Sequence, residues 1–403
     1  MLKGKGYHIN NFKFSLLITV MLLSAIGLIV LQSMTVTQNT NMFNKQLVGL
    51  VGGLFVMLIV TFVDYHFICK FCIPLYIFNI LMMLICKFVN QSTLPFFYGF
   101  SVDEARRWIH VGYEGGGLDI MPSEITKIVL ILCLAKMFTE LDENINKPLC
   151  IIHVLIVTAI PVYLVFDQPD LSTTIVIFTT FLVMYFAAGL TLKLVVPALA
   201  VTIPAIAGVL WYVQQDYGTN LLKPWQRDRI LSIMHPEDYP DLMYQQNNAK
   251  AAIKAGGVFG KMITGDKGGR LTRFVPVVES DFIFSGVGEE LGFVGTSAVV
   301  ILFALFFFIS LRIALNAKDK LGRFIAFGSA TMITLQAMVN IGVVLSLLPN
   351  TGIPLPFMSS GLSSLLINFA TIGLLLNVGL QNKDVNPVTE DMIVFGKHHR
   401  DIQ

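Results

Sequence analysis

Phe14-Ser-Leu-Leu-Ile-Thr-Val-Met-Leu-Leu-Ser-Ala-Ile-Gly-Leu-Ile-Val-Leu-Gln-Ser-Met34 follows a basic tail of Lys3, Lys5 and Lys13 and contains no ionisable side chain. A signal-peptide core is about 7–15 residues long and ends at a small-residue cleavage site. This run is longer and lacks such a site, so it is expected to stay in the bilayer as a helix of about 20 residues. Runs of similar character recur at 46–63, 67–89, 124–140, 149–166, 171–188, 194–213, 289–314, 323–348 and 361–380. Only 13% of the 403 residues are charged and 55% are hydrophobic, against roughly 25% charged in soluble domains. The deficit runs the whole length, so one anchor on a soluble domain is excluded. The expected fold class is all-α: a single polytopic membrane domain over 1–403, with about ten transmembrane helices and one long extracellular loop at 214–288.

The net charge of +2 gives no basic footprint for nucleic acid. Cys69 and Cys72 form a lone Cys-x-x-Cys, and Cys86, Cys133 and Cys150 sit in or beside apolar runs. Zinc needs four ligands, and no further pair lies nearby, so packing within membrane helices is the expected use.

An even number of spans puts both termini on one side. Short connections on that side carry Lys70, Lys136, Lys147, Lys193, Arg312, Lys318, Lys320 and Arg323, whereas 35–44, 167–170 and 349–360 carry no Lys or Arg. The positive-inside rule then places both termini in the cytoplasm. Two longer segments, 90–123 and 214–288, face outward. The second is too long to be an ordinary connection; Trp225, Phe259, Phe274 and a helical pattern near 245–255 argue that it is ordered. Lys250 and Lys254 share a helix face there, suited to anionic lipid phosphates or to solvent.

Polar constellations gather on the outward side. Ala105-Arg-Arg-Trp108 precedes Pro122-Ser-Glu-Ile-Thr-Lys127, a good helix start with Glu124 at its positive end. Lys127 falls about 6 Å into the helix, within reach of Glu124 at i−3, and an ionisable group at that depth is a candidate functional residue. Asp167 and Asp170 flank a tight turn; they could ligate Mg²⁺ or Mn²⁺, or Asp170 could cap the next helix. Leu348-Pro-Asn-Thr-Gly-Ile-Pro-Leu-Pro356 continues into Ser359-Ser-Gly-Leu-Ser363. It is uncharged and rich in Pro, Gly and Ser, as irregular backbone at membrane depth must be when it lines a cavity. Val275-Pro-Val-Val-Glu-Ser-Asp-Phe-Ile-Phe284 ends the long segment, with Glu279, Asp281, Glu289 and Glu290 as candidate acids. Unrelated packing features would scatter between both faces; their convergence implies one outward polar site.

These motifs resemble the SEDS family (shape, elongation, division and sporulation) along nearly the whole chain. The resemblance rests on Ala105–Trp108, Pro122–Lys127, Gln168-Pro-Asp-Leu171, Ser280-Asp-Phe-Ile-Phe284, Gly288-Glu-Glu-Leu-Gly292, Asn340-Ile-Gly342 and Leu348–Pro356. Gly256-Gly-Val-Phe-Gly-Lys261 and Gly352-Ile-Pro-Leu-Pro356 lean toward its RodA branch, with FtsW the nearest relative. The sequence departs from the family at Ser280, usually Thr, and at Ser359–Ser363, usually Ser-Tyr-Gly-Gly-Ser. The resemblance implies a peptidoglycan glycosyltransferase in a bacterial cytoplasmic membrane, polymerising lipid II into glycan strands with inversion, for elongation and cell shape. It singles out Asp281 as the essential acid and general base, and assigns Arg106, Trp108, Glu124, Lys127 and Asp170 to the substrate cavity. Arg106 and Lys127 become the expected phosphate contacts, and Glu289 and Glu290 are left to face a helix dipole. Expected partners are lipid II and the nascent strand, a class B penicillin-binding protein, other elongation-complex membrane proteins and membrane lipid, with a divalent cation as a candidate cofactor. A lipid II flippase and a non-catalytic scaffold for a transpeptidase are the rival readings.

Overall fold

The computed structural model describes residues 11–381 except 39–41, 95, 103–104, 114–115, 192, 216–223, 267, 351 and most of 194–210. The span expected at 194–213 lies largely outside the described residues. The other apolar runs form helices: α1 (Phe14–Gln38), α2 (Met42–Phe62), α3 (Tyr65–Lys70), α4 (Cys72–Phe88), α5 (Pro122–Leu141), α6 (Pro148–Asp167) and α7 (Leu171–Ala187). Beyond 214–223 come α8 (Pro224–Met234), α9 (Pro240–Gly256), α10 (Gly260–Thr264), α11 (Ile283–Leu315), α12 (Lys320–Val344) and α13 (Leu362–Leu380).

The bundle has a polar-tolerant centre and a greasy rim. Among the described residues, α1, α2, α6, α11, α12 and α13 are long and apolar enough to cross a membrane. α5 is equally long, but it carries Glu124 and Lys127 and is buried along most of its length. It packs against α4, α7 and α12, while α13 packs against α2 and α12. Without a hydrophobic drive between helices in lipid, close approach at small residues matters. At the α2–α13 crossing a β-carbon on Gly53 would stand 2.5 Å from Phe369, and one on Gly373 2.8 Å from Met57 O.

Two spans depart from the sequence reading. The run at 67–89 divides at Phe71, because Asp64 caps a short helix, accepting from His66 N at 2.9 Å. The run expected at 289–314 begins at Ile283 but is interrupted at Gly292 (φ 68°, ψ −161°). That conformation suits only glycine, and a β-carbon there would meet Gly260 N at 2.4 Å. Glu289 and Glu290 therefore do not open the membrane helix against its dipole. Glu289 takes Lys261 at 2.7 Å and the amides of Leu271 and Thr272, while Glu290 forms a two-pronged pair with Arg270 at 2.8 and 3.1 Å. Cys69, Cys72, Cys86 and Cys133 are buried free thiols.

The long segments lie on one face, termed the loop face. The first adds a small antiparallel sheet to the helical fold: β1 (Phe97–Val102), β2 (Ala105–Tyr113) and β3 (Gly116–Ile120), in that order. Gly99 pairs with Ile109, and Ile109 with Ile120. Aromatic and β-branched residues favour strands when one face can be covered. Here Ile109 packs on Met82 and Cys86 of α4. In the second segment α9 covers the helical pattern expected near 245–255. Its apolar and small face (Met243, Gln246, Ala249, Ala252, Gly256) is buried and packs on α11. Gln246 Nε2 donates to Val343 O at the end of α12 and to Leu348 O in the segment after it, at 2.7 and 2.9 Å.

Candidate functional site

A cavity of about 470 Å³ sinks into the loop face, within the size range of small-molecule sites. Its wall draws on several elements of that face: Trp108 from β2, Glu124 from α5, Thr173 from α7, Asp281 before α11, and Asn350 and Gly352 from the segment after α12.

Asp281 is half-buried on this wall. Ser280 Oγ donates to its Oδ1 at 3.0 Å, and Asn340 Nδ2 on α12 donates to its main-chain oxygen at 2.7 Å. Burial pushes the Asp281 carboxyl up to about 6, against the opposing pull of the Ser280 hydroxyl and the Arg107 guanidinium. Gly352, at φ +64°, passes so close that a β-carbon there would lie 3.0 Å from Asp281 Oδ2.

Two expected residues sit elsewhere. Arg106 does not reach the cavity: its Nη2 donates to Val89 O and Gly99 O at 2.5 and 3.0 Å, closing the end of α4. Successive strand residues point to opposite faces, so the cavity receives Arg107 instead. Arg107 Nε donates to Gln168 O at 3.1 Å and its Nη2 to Pro169 O, which fixes the guanidinium beside Asp170 and Asp281. Lys127 is fully buried, bonded to Glu124 Oε2 at 2.8 Å and to Gln336 Oε1 at 2.6 Å, so it offers no open ammonium to a phosphate. Gln336 in turn donates to Pro354 O at 2.9 Å, so the buried lysine braces the segment that carries Gly352.

Trp108 is half-buried on the cavity wall. Glu124 has one oxygen on Lys127, while its buried Oε1 has no hydrogen-bond partner among the described residues. Asp170 is buried as the cap of α7, accepting from Thr173 N at 3.1 Å and Ser123 Oγ at 3.4 Å. Its burial raises the carboxyl above the usual range, with Arg107 opposing. Asp167 turns away to pair with Lys87 at 2.8 Å, so it and Asp170 do not converge as cation ligands. Among the described residues no group of three or more His, Cys, Asp or Glu side chains is placed to hold a metal ion.

Sequence reasoning quoted Arg107 and Asn340 within motifs but gave them no role, and missed Gln336. Strand parity within Ala105–Trp108 would have separated the two arginines. The i, i+4 spacing of Gln336 and Asn340 would have put both amides on one face of α12. Asn340 Nδ2 also donates to Ile353 O at 2.7 Å, so one side chain ties the Asp281 segment to the Gly352 segment. Ser359 Oγ donates to Ser280 O, and Ser360 N donates to Glu279 O at 2.8 Å, fastening the same two segments again.

Fold and site together define a polytopic membrane protein with the Asp281 carboxyl in a polar cavity on one face. Residues 13–384 match the FtsW/RodA/SpoVE family of cell cycle proteins. The chain is 30% identical to the probable peptidoglycan glycosyltransferase FtsW of Trichlorobacter lovleyi, over 93% of this chain and 94% of that protein. It is 35% identical to stage V sporulation protein E of Bacillus subtilis, over 74% and 78%. A solved chain from a peptidoglycan synthase complex superposes with a TM-score of 0.74 at 27% identity, covering 91% of this chain and 97% of that one. The fold is also that of Thermus thermophilus RodA, with a TM-score of 0.65, 24% identity, and coverage of 92% and 97%. The chain belongs to the FtsW/RodA/SpoVE family.

Proposed function

We propose that the chain is a peptidoglycan glycosyltransferase that extends glycan strands from lipid II at the outer surface of the membrane, with both termini in the cytoplasm. The observation that carries this reading is Asp281, a half-buried acid with a raised pKa facing a cavity beside a fixed guanidinium. The acceptor 4-hydroxyl attacks the donor anomeric carbon, so a C–O bond forms as the bond to the lipid pyrophosphate breaks, with inversion. The hydroxyl proton passes to Asp281, a general base whose pKa is near working pH. Arg107 offsets the charge on the departing pyrophosphate. The free Glu124 Oε1 accepts from a sugar hydroxyl, Trp108 borders the cavity, and Asp170 holds α7 and Arg107 in register. No step is routed through a metal.

Elongation is the programme suggested by Gly256–Lys261 and Gly352–Pro356. Division or sporulation is the second reading, favoured by relatives named FtsW and stage V sporulation protein E. A class B penicillin-binding protein is the proposed partner, given the synthase complex that the fold matches. Purified protein given labelled lipid II in detergent tests the chemistry: polymer is expected. Translocation in liposomes without polymer would make it a flippase, and neither product would leave a scaffold. Depletion tests the programme, with rounded cells for elongation and filaments for division.

A further inference from the structure

Gln245 on α9 and Asn350 in the segment after α12 meet on the wall of the Asp281 cavity, both half-buried. Asn350 Nδ2 donates to Gln245 Oε1 at 2.5 Å. A side-chain amide carries N–H donors on its nitrogen and a carbonyl acceptor. Gln245 Nε2 and Asn350 Oδ1 are therefore left over, and neither has a hydrogen-bond partner among the described residues. The pair is also held in place. Gln246 ties α9 to Val343 O and Leu348 O at 2.7 and 2.9 Å, and Asn340 holds Ile353 O at 2.7 Å, so the chain carrying Asn350 is fastened on both sides of it. Gly352, whose β-carbon would lie 3.0 Å from Asp281 Oδ2, is two residues on from Asn350, a chain distance of at most about 7 Å. The spare donor and acceptor belong to the same wall as the proposed base.

We propose that Gln245 and Asn350 recognise the 2-acetamido group of a sugar coupled at Asp281, with Gln245 Nε2 donating to its carbonyl and Asn350 Oδ1 accepting from its N–H. The proposal rests on the glycosyltransferase reading for the presence of that sugar, and adds the group by which the site tells it from other sugars. Both rings of lipid II carry an acetamido group beside the anomeric carbon. The chemistry of the pair selects that group. Being uncharged, the two amides suit a pyrophosphate less well than Arg107 on the same wall does. Phosphate and ether oxygens only accept, whereas an amide presents one fixed donor and one fixed acceptor, the complement of what the pair has spare. A site built to hydrogen-bond a substrate group rejects the analogue that lacks it, because its own polar atoms are then left unpaired.

The test compares polymerisation of lipid II with that of two analogues, in which the acetamido group of the donor ring or of the acceptor ring is replaced by hydroxyl. Purified full-length wild-type protein is expected to use at least one of them about tenfold less well in kcat/KM, the scale of one unmade hydrogen bond; which one identifies the ring that is held. Gln245→Glu keeps the oxygen that accepts from Asn350 Nδ2 and loses the spare donor. Its melting temperature is expected to hold, while its preference for the acetamido substrate falls to about threefold or less. A pair that merely braced the wall would slow every substrate alike and leave the ratio untouched. Equal use of lipid II and both analogues by wild type, or a wild-type ratio in Gln245→Glu, overturns the proposal. A third substrate keeps both acetamido groups but has its peptide stem trimmed to the lactyl group. If Gln245→Glu abolishes discrimination against this substrate instead, the pair binds the stem and the proposal falls. Polymer from lipid II without discrimination sinks this inference alone; no polymer from wild-type protein sinks the glycosyltransferase reading and this inference with it.

Discussion

Arg106 and Arg107 are neighbours in sequence with separate work, and the strand between them explains why. Arg107→Ala is expected to lower polymerisation per folded molecule at least tenfold, since it removes a cation from the cavity wall, besides costing about 1–3 kcal/mol of stability through its lost bonds to Gln168 O and Pro169 O. Arg106→Ala is expected to cost a similar amount, about 1–3 kcal/mol, through lost bonds at the end of α4 while sparing turnover per folded molecule. Thermal melts and lipid II polymerisation on the same preparations separate the two. Asp281→Asn is expected to lower polymerisation about 10²–10⁴-fold. Wild-type activity should fall as pH drops through about 6, where Asp281 takes up its proton. Stability has the opposite sign. A carboxyl whose folded pKa is raised stabilises the fold in its protonated form, and that gain is lost as pH rises through about 6. Asp281→Asn should therefore melt above wild type at pH 7.5, with the gap closing toward pH 4. Asp281 itself was legible because an acid beside an apolar run is costly and its motif is distinctive. Arg107 was not, because two adjacent arginines look alike until a strand assigns them faces.

The helices were legible from length and composition, since water-free surroundings leave few ways to satisfy a backbone. The sheet was not. Its strands are short, carry charge, and owe their burial to Met82 and Cys86, far away in sequence. The Gly292 break was also hidden, because a glycine between apolar residues reads as continuous helix until Gly260 is seen against it. Gly292→Ala is expected to cost at least about 1–2 kcal/mol in backbone strain alone, with added collision against Gly260 and Val258. Limited proteolysis should then cut the segment around 257–274 faster than in wild type. Within α5, the buried Lys127–Glu124 pair has a different weakness. Lys127→Met strands a buried carboxylate and is expected to cost about 3–5 kcal/mol, most of it recovered by adding Glu124→Gln. Melting temperatures of the single and double variants check this; a double variant as unstable as the single would show that packing, not charge, sets the cost.

At the scale of the whole molecule, the expected convergence is met in part: Trp108, Glu124 and Asn350 share a wall with Asp281, whereas Arg106, Lys127 and Asp167 are bonded elsewhere. The sequence could place residues on a side of the membrane but not order them in depth, which depends on side-chain ties such as Gln336 to Pro354 and Asn340 to Ile353. The edge of the Asp281 cavity formed by Ser280, Ser360 and Gly361 has a bearing on product length. A growing polymer must be translocated by one repeat after each addition, and a barrier built of main chain and hydroxymethyl groups gives a sliding strand little to catch on. On the proposed reaction, strand length would depend on how freely the product slides over that ledge, separately from bond formation. Bulk added at Ser360 should shorten the strands released while leaving the first coupling intact.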